Sequence, residues 1–532
     1  MARPFVAANT QLPEEYEGDF EIHVVSGQSR GNCHSQGTGS CMVSMLGAQN
    51  PERSLMMSNA RAPSHAVESD FAVGDASSFV PYEDSRDTKA SQVTINVATS
   101  TVTWPGHTLG LNDNVIFDSY AGTWTLNVTR GDTYRVTNAN QAAGTFQITT
   151  TVSGPALTMT GTATGTVMAR NVSSRCPLGQ PLLGAFLYAL DQDDVTYGLP
   201  RKRRIGVCVA EGGQKITVIK GDTLFTGAGG TFNLFTREQN MIQTIKNIAT
   251  AQGRGCYVAT RMHLQGEADM LKGTAETDPA TWETNTRSYL TASNAAIASI
   301  TGQTTTPETF FDVMSGFGSD TGDAGWSSAI LAKMVERAVE NPTGHYRCTG
   351  PGYGYPYWVT PGGTAGAHMH NEAVVRLGEA WAEDWTAIRL GTYASPLLRA
   401  LMFTTEGNSI IIKCRVPVGT LRIDTTTIPA ATGTSGAGRT FVKGFELEGG
   451  TISAVSVSGR YITITCTASP VGKTLRYAWH GLGSSRYTCT ETGREDAYTP
   501  GSWGNIRDER ATAGVYSPIT RRNWLCPFEQ VL

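Results

Sequence analysis

Two apolar runs of strand length, each closed by a glycine turn, constrain this 532-residue chain more than anything else in it. Ile205-Gly206-Val207-Cys208-Val209-Ala210 runs into Glu211-Gly212-Gly213, and Cys256-Tyr257-Val258-Ala259-Thr260 leads to His263-Leu264-Gln265-Gly266-Glu267. Between them Thr236, with Gln239 three residues on, reads as a capping box. Met241, Ile245, Ile248 and Ala249 give that helix one apolar face, and Gly253 marks its end. A strand with no polar alternation is buried on both faces, so strand, helix, strand in this pattern means a parallel sheet covered by helices. Ile22-His23-Val24-Val25 is a third run of this kind, broken by Ser26-Gly27-Gln28-Ser29-Arg30-Gly31. The turn holds the Ser29 hydroxyl at the C-terminal end of a strand, the edge where open α/β sheets collect ligands and catalytic groups. A Ser there closes a turn or caps a helix, or it attacks a substrate if later strands bring a base and an oxyanion site.

The length exceeds one ordinary core and predicts roughly two to four domains. Lys+Arg is 42 and Asp+Glu is 46, a net charge of −4, which gives no reason to expect nucleic acid or an anionic membrane surface as partner. No apolar run approaches the ~20 residues of a membrane-spanning helix. Met1-Ala2-Arg3-Pro4 opens without the apolar core of a secretory leader. The ten cysteines are scattered with no CxxC pair, which argues against a zinc knuckle or a thioredoxin-type site. Cys208, Cys256 and Cys414 lie in apolar runs as small buried hydrophobes, and folding in a reducing compartment is the simplest expectation.

Along the chain, residues 31–93 read as a long Gly/Ser/Asn-rich loop, functional or packed against a partner. Residues 94–168 change character: Thr/Val-rich alternating runs broken by turn residues predict a small all-β module of roughly six strands, inserted in a surface loop. Residues 176–265 are α/β, with a short amphipathic helix over Gln180–Leu190. Residues 268–405 read as helices (around Thr286–Ile300 and Ser327–Val339), a Gly/Tyr/Pro loop over 350–366, then Ala367-His368-Met369-His370 and a helix from Asn371 to about Asp384. Residues 406–532 return to β structure and predict a second domain docked on the first. The domains expected are thus 1–93 plus 169–405, the insert 94–168, and 406–532.

Three sheet-edge turns now follow in chain order, Ser29, Gly212-Gly213 and Gln265-Gly266-Glu267, with His368 just before a late helix. Acyl transfer needs such a set: a hydroxyl, an imidazole, a carboxylate to orient it, and oxyanion donors. Gly27-Gln28-Ser29, the glycine pair, Gln265-Gly266-Glu267 and a His ahead of Leu377-Gly378 together resemble the SGNH/GDSL hydrolases, and within them the sialate O-acetylesterases and the family six carbohydrate esterases. Arg476-Tyr477-Ala478-Trp479 and Cys526-Pro527-Phe528 are similar to the accessory β region of that branch. The resemblance implies a flavodoxin-like three-layer α/β/α core that removes O-acetyl groups from sugars with no metal or organic cofactor. It implies Ser29 as nucleophile, His368 as general base, Glu267 as the group orienting the His, and an oxyanion hole of the Ser29 and Gly213 backbone N–H groups with the Gln265 side chain.

Two positions depart from the family pattern. Arg30 stands where the family has Asn, and Ala365 stands three residues before the His, where the family has Asp. The third member is therefore open between Glu267, another carboxylate such as Asp269, and a Ser-His dyad. His370 is an alternative base, Gly212-Gly213 is otherwise only a turn, and Gln265 and Glu267 otherwise cap the next helix. No third ligand is spaced to join His368 and His370 on a metal. Thr103-Trp104-Pro105-Gly106-His107 in the insert looks like a small module of phage tail proteins. That likeness implies a tail spike or fibre, assembled in the host cytoplasm into the virion tail, a homotrimer beside other tail proteins, acting on acetylated surface glycan. The rival expectation is a receptor-binding tail protein that keeps the fold with little activity.

Overall fold

In the computed structural model the described residues are 19–27, 54–57, 79–81 and 91–532, apart from stretches that include 172–180, 211–213, 271–277, 314–328, 360–364, 370 and 483–498. Five parallel strands make the centre: β1 (Phe20–Gly27), β2 (Arg204–Cys208), β3 (Cys256–Leu264), β4 (Glu308–Val313) and β5 (Tyr346–Pro351). They lie in the order β5-β4-β3-β1-β2, the doubly wound order of flavodoxin-like sheets. Ser54–Met57 pairs parallel outside β2, and Phe79–Pro81 closes that edge antiparallel. These two strands correct the reading of 31–93 as loop. They span four and three residues, too short for any periodicity to show. β4 and β5 correct the reading of 268–405 as helix and loop: both are buried throughout or nearly so, and neither alternates.

The helices are α1 (Pro181–Tyr197), α2 (Ile216–Ile219), α3 (Leu234–Ala251), α4 (Glu267–Met270), α5 (Pro279–Thr301), α6 (Ala329–Glu340) and α7 (Asn371–Arg389). α1 and α7 pack on one face, over Val25, Cys208, Met262, Leu264 and Phe310. α3 covers Ile22, Val24, Ile205 and Val207 on the other face, where α5 and α6 cover Phe311 and Val313. Two sequence expectations shift. α1 runs seven residues beyond Leu190 and is buried nearly all round along residues 182–191 rather than amphipathic, because the sheet lies on one side and α7 on the other. The approach is so close that a Cβ on Gly378 would come within 2.3 Å of the Leu182 carbonyl oxygen. α3 is capped one turn earlier than the box at Thr236 suggests: the Asn233 side chain accepts the Thr236 N–H at 2.9 Å.

β1 is buried on both faces yet carries Glu21 and His23, and it can do so because of Arg204. The Arg204 Nε donates to Glu21 at 3.0 Å, Nη1 to Asp191 and Nη2 to Asp194, both at 2.6 Å, all without exposure to solvent. Arg389 of α7 adds a second cation, 2.7 Å from Asp194. Burial alone would raise the Glu21 carboxyl, but the His23 hydrogen bond and the neighbouring cations hold it well below the usual carboxylate range.

Residues 91–171 carry a closed six-stranded barrel filled by its own side chains, among them Val102, Phe117, Val136, Phe146 and Ile148. Its first strand, Ser91–Asn96, pairs with its last, Thr166–Asn171, with Ser91 opposite Ala169, so the two chain ends leave the barrel side by side. The C-terminal β structure begins before residue 406: the hairpin Arg399–Glu406/Ser409–Arg415 straddles that position. It interlocks with the α/β part. Tyr353, just past β5, lies in its core and donates to the Leu525 carbonyl at 2.6 Å, and Arg521 pairs with Asp384 and Glu383 of α7. The described cysteines at 208, 256, 348, 414, 466 and 526 are buried.

Two outcomes follow from this architecture. Arg204→Met removes the cation shared by three buried carboxylates, leaving Arg389 on Asp194, and should cost about 3–5 kcal/mol in urea denaturation at pH 7. Glu21 has a depressed folded-state pKa, so its stabilisation is present above the unfolded-state value and is lost as pH falls through and below it; the variant's carboxylates, without their cation, gain by protonation. The gap should therefore narrow below about pH 5. Separately, deleting residues 94–168 and rejoining the ends with a short Gly/Ser linker should leave the parallel sheet cooperatively folded, read as a far-ultraviolet melt; aggregation of the remainder would show that the barrel is integral.

Candidate active site

The strand order fixes where a site can form. β1 is followed by β2 on one side and by β3 on the other, so the crossovers diverge and leave a crevice beyond the C-terminal ends of β1 and β3. There Gly27 pairs with Leu264, the last residue of each strand. Ser29 follows Gly27 by two residues, and Gln265 follows Leu264 directly. β2, whose last residue Gly213 follows by five positions in the sequence, lies on the other side of β1. Ser29 and Gly213 themselves lie outside the described residues, as does His370. His368 is on strand β7 (Ala365–Met369), which pairs antiparallel with β6 (Tyr357–Val359) and leads straight into α7; Ala365 starts that strand opposite Val359.

Gln265 is buried and held at both ends of its amide. Its Oε1 accepts the Trp282 indole N–H at 2.7 Å, and its Nε2 donates to Asp269. The Asp269 Oδ2 also accepts the Ile216 N–H at 3.1 Å, which ties α2 to the turn. An amide anchored this way cannot flip, and its second N–H has a fixed direction. Asp269 is wholly buried and accepts from both the Gln265 amide and the Ile216 N–H. Glu267 is buried as the first residue of the single-turn α4.

The sequence reading missed a buried polar network behind the edge. Ser26 Oγ lies 3.0 Å from His263 Nδ1, across the β1/β3 register. His263 stacks on Tyr289 of α5 with ring centroids 5.4 Å apart. The Tyr289 hydroxyl donates to Glu238 at 2.6 Å, and Ser293 bridges Glu238 to Arg261. The available signal was Arg261 and His263 at alternate positions of an otherwise apolar strand, which a period of two places on one face. Ser26 and His263 form a Ser–His pair, but not a reactive one. Burial, helped by Arg261 and Arg337, brings the His263 imidazole down to about 3, so it stays neutral and cannot collect a proton near pH 7. Ser26 is wholly buried.

No family model matches the chain, and no curated protein matches it. Among solved structures it is similar to a carbohydrate acetylesterase from Xanthomonas citri, with a TM-score of 0.43 and 11% identity, covering 96% of this chain and 80% of that one. NanS gives a TM-score of 0.34 and 10% identity, covering 71% of this chain and all of that one. Est24, a carbohydrate acetylesterase from Sinorhizobium meliloti, gives 0.26 and 12%, covering 39% and 85%.

Trp282→Phe keeps the aromatic bulk but releases Gln265 Oε1. If Gln265 serves a developing charge, kcat for ester hydrolysis should fall about tenfold with KM little changed, and Gln265→Ala should fall further, about 10²–10³-fold. Equal loss in KM and none in kcat would assign both residues to substrate binding instead.

Proposed function

We propose that the chain is a serine esterase of the SGNH type that removes O-acetyl groups from carbohydrate. The observation that carries this reading is the strand order: β1, β2 and β3, which Ser29, Gly213 and Gln265 follow in the sequence, are adjacent and parallel, so their C-terminal ends share one edge of the sheet. The anchored amide of Gln265 supports it further, since an oxyanion donor works by being fixed before charge develops.

In the proposed reaction the Ser29 Oγ attacks the acetyl carbonyl as His368 takes its proton. The oxyanion is met by the Ser29 and Gly213 N–H groups and the free N–H of Gln265. Collapse breaks the bond to the sugar oxygen, which leaves with the proton from His368. Water then attacks the acetyl-enzyme, His368 again moving the proton, and acetate departs. Glu267, just past the end of β3, is the carboxylate proposed to hold the imidazole. The proposed setting is a phage tail spike or fibre acting on acetylated host glycan, as a homotrimer. Ala365 favours the rival reading, a receptor-binding tail protein with little turnover, because a carboxylate at that position would orient His368 directly.

Acetate release from p-nitrophenyl acetate and from acetylated polysaccharide separates the two. Ser29→Ala should abolish it while unfolding like the parent, a turn Ser→Ala being worth no more than about 1–2 kcal/mol. Glu267→Gln should lower the rate by about two to four decades, His368→Ala at least as far, and His370→Ala hardly at all. Parent-level hydrolysis by Ser29→Ala would overturn the nucleophile, and a lethal His370→Ala beside a silent His368→Ala would move the base by two residues.

A further inference from the structure

Between the sheet and helices α5 and α6 lies a cavity of about 20 Å³ whose lining residues are all buried. That is room for one water molecule or one halide ion. Its lining is mostly apolar, with His263, Gln265, Asp312 and Arg337 as the charged or strongly polar members.

Arg337 is the anomaly. Its side chain lies over the Tyr346 ring, 4.4 Å from the centroid, and Nη2 donates to the Tyr346 hydroxyl at 2.7 Å. Among the described residues no carboxylate comes within ion-pairing distance of it, and its Nη1 has no hydrogen-bond partner although it is shut off from solvent. An unpaired guanidinium in such a place is costly, and burial lowers its affinity for its proton. The same cavity is lined by His263, whose Nε2 is likewise buried without a partner. In the tautomer whose Nδ1 accepts the Ser26 hydroxyl, the neutral imidazole presents Nε2–H as a donor. Two buried donors, one of them cationic, thus line one ion-sized space.

We propose that this cavity is a binding site for a single small monovalent anion of chloride or bromide size, held by Arg337 Nη1 and His263 Nε2–H. Asp312 shares the lining and opposes anions in general. With the volume, it makes the site discriminate against sulfate and phosphate, whose second charge would face that carboxylate. The inference stands whether or not the esterase reading does, since it uses neither Ser29 nor His368.

The test is the thermal midpoint of the full chain at constant ionic strength, with sodium chloride or bromide replacing sodium gluconate. The parent should gain about 1–3 °C in a saturable way, sulfate should give no such saturation, and Arg337→Gln should be flat. Identical parent midpoints in chloride and gluconate would overturn the proposal in favour of a trapped water, as would a chloride shift that survives in Arg337→Gln. If that variant does not fold, bromide-soaked crystals of the parent decide: an anomalous peak between Arg337 and His263 supports the site, and none at saturating bromide removes it.

Discussion

Arg204 and its three carboxylates settle a question that the hydrophobic pattern leaves open. In a sheet buried on both faces, sliding β1 past β2 exchanges one apolar side chain for another, so the apolar pattern fixes register only weakly. A buried guanidinium that must meet Glu21, Asp191 and Asp194 at once tolerates one alignment. That alignment sets Glu21 opposite Arg204 and Val25 opposite Cys208, and it brings α1 onto the same pair of strands. The cluster lies at the start of the strands, opposite the proposed site. It therefore sets the height at which β1 and β2 end, and with it the relative position of the segments that carry Ser29 and Gly213. Stability chemistry at one edge of the sheet sets the frame of the proposed site at the other.

A second polar layer takes over toward the exits. His23 bonds Thr260 at 2.8 Å on the α1 face, and Ser26 bonds His263 on the α5 face. β1 and β3 are thus stitched on alternate sides along their length, the last stitch one residue before both strands end. The Gln265 amide, with Trp282 on its oxygen and Asp269 on its nitrogen, continues that stitching into the turn. A buried polar chain of this kind specifies a single arrangement when each member is satisfied.

What could be read in the sequence followed the strength of local signals. The apolar runs at 205–210 and 256–260, with the helix between them, gave the parallel sheet, because burial on both faces leaves no other reading. β4 and β5 lack a continuous apolar run: Thr309 and Asp312 interrupt one, and in the other Arg347 and Thr349 do so just ahead of Gly350-Pro351-Gly352. The polar groups of the site were visible as residues but not as partners. Nothing near Gln265 in the sequence announces that Trp282 and Asp269 will hold its amide, since that depends on how α4 and α5 fold back over the end of β3. Arg337 is one charge among several in its helix, and only tertiary packing leaves it without a carboxylate among the described residues.

The position of the barrel affects how the chain comes together in time. β1 is made first, yet its partners arrive late: Glu21 meets Arg204 across 183 residues, and His23 meets Thr260 across 237. Until β2 and β3 have been synthesised, a strand with no polar face has nothing to pair with, and closing so long a loop is slow. The barrel, complete by residue 171, has its own core and can order itself in the interval. It shortens the effective distance between β1 and β2, because its adjacent ends turn some eighty residues of chain into a compact knot of negligible span. The insert, once folded, therefore adds little to the loop that must close between β1 and β2, and so little to the entropic cost of pairing them.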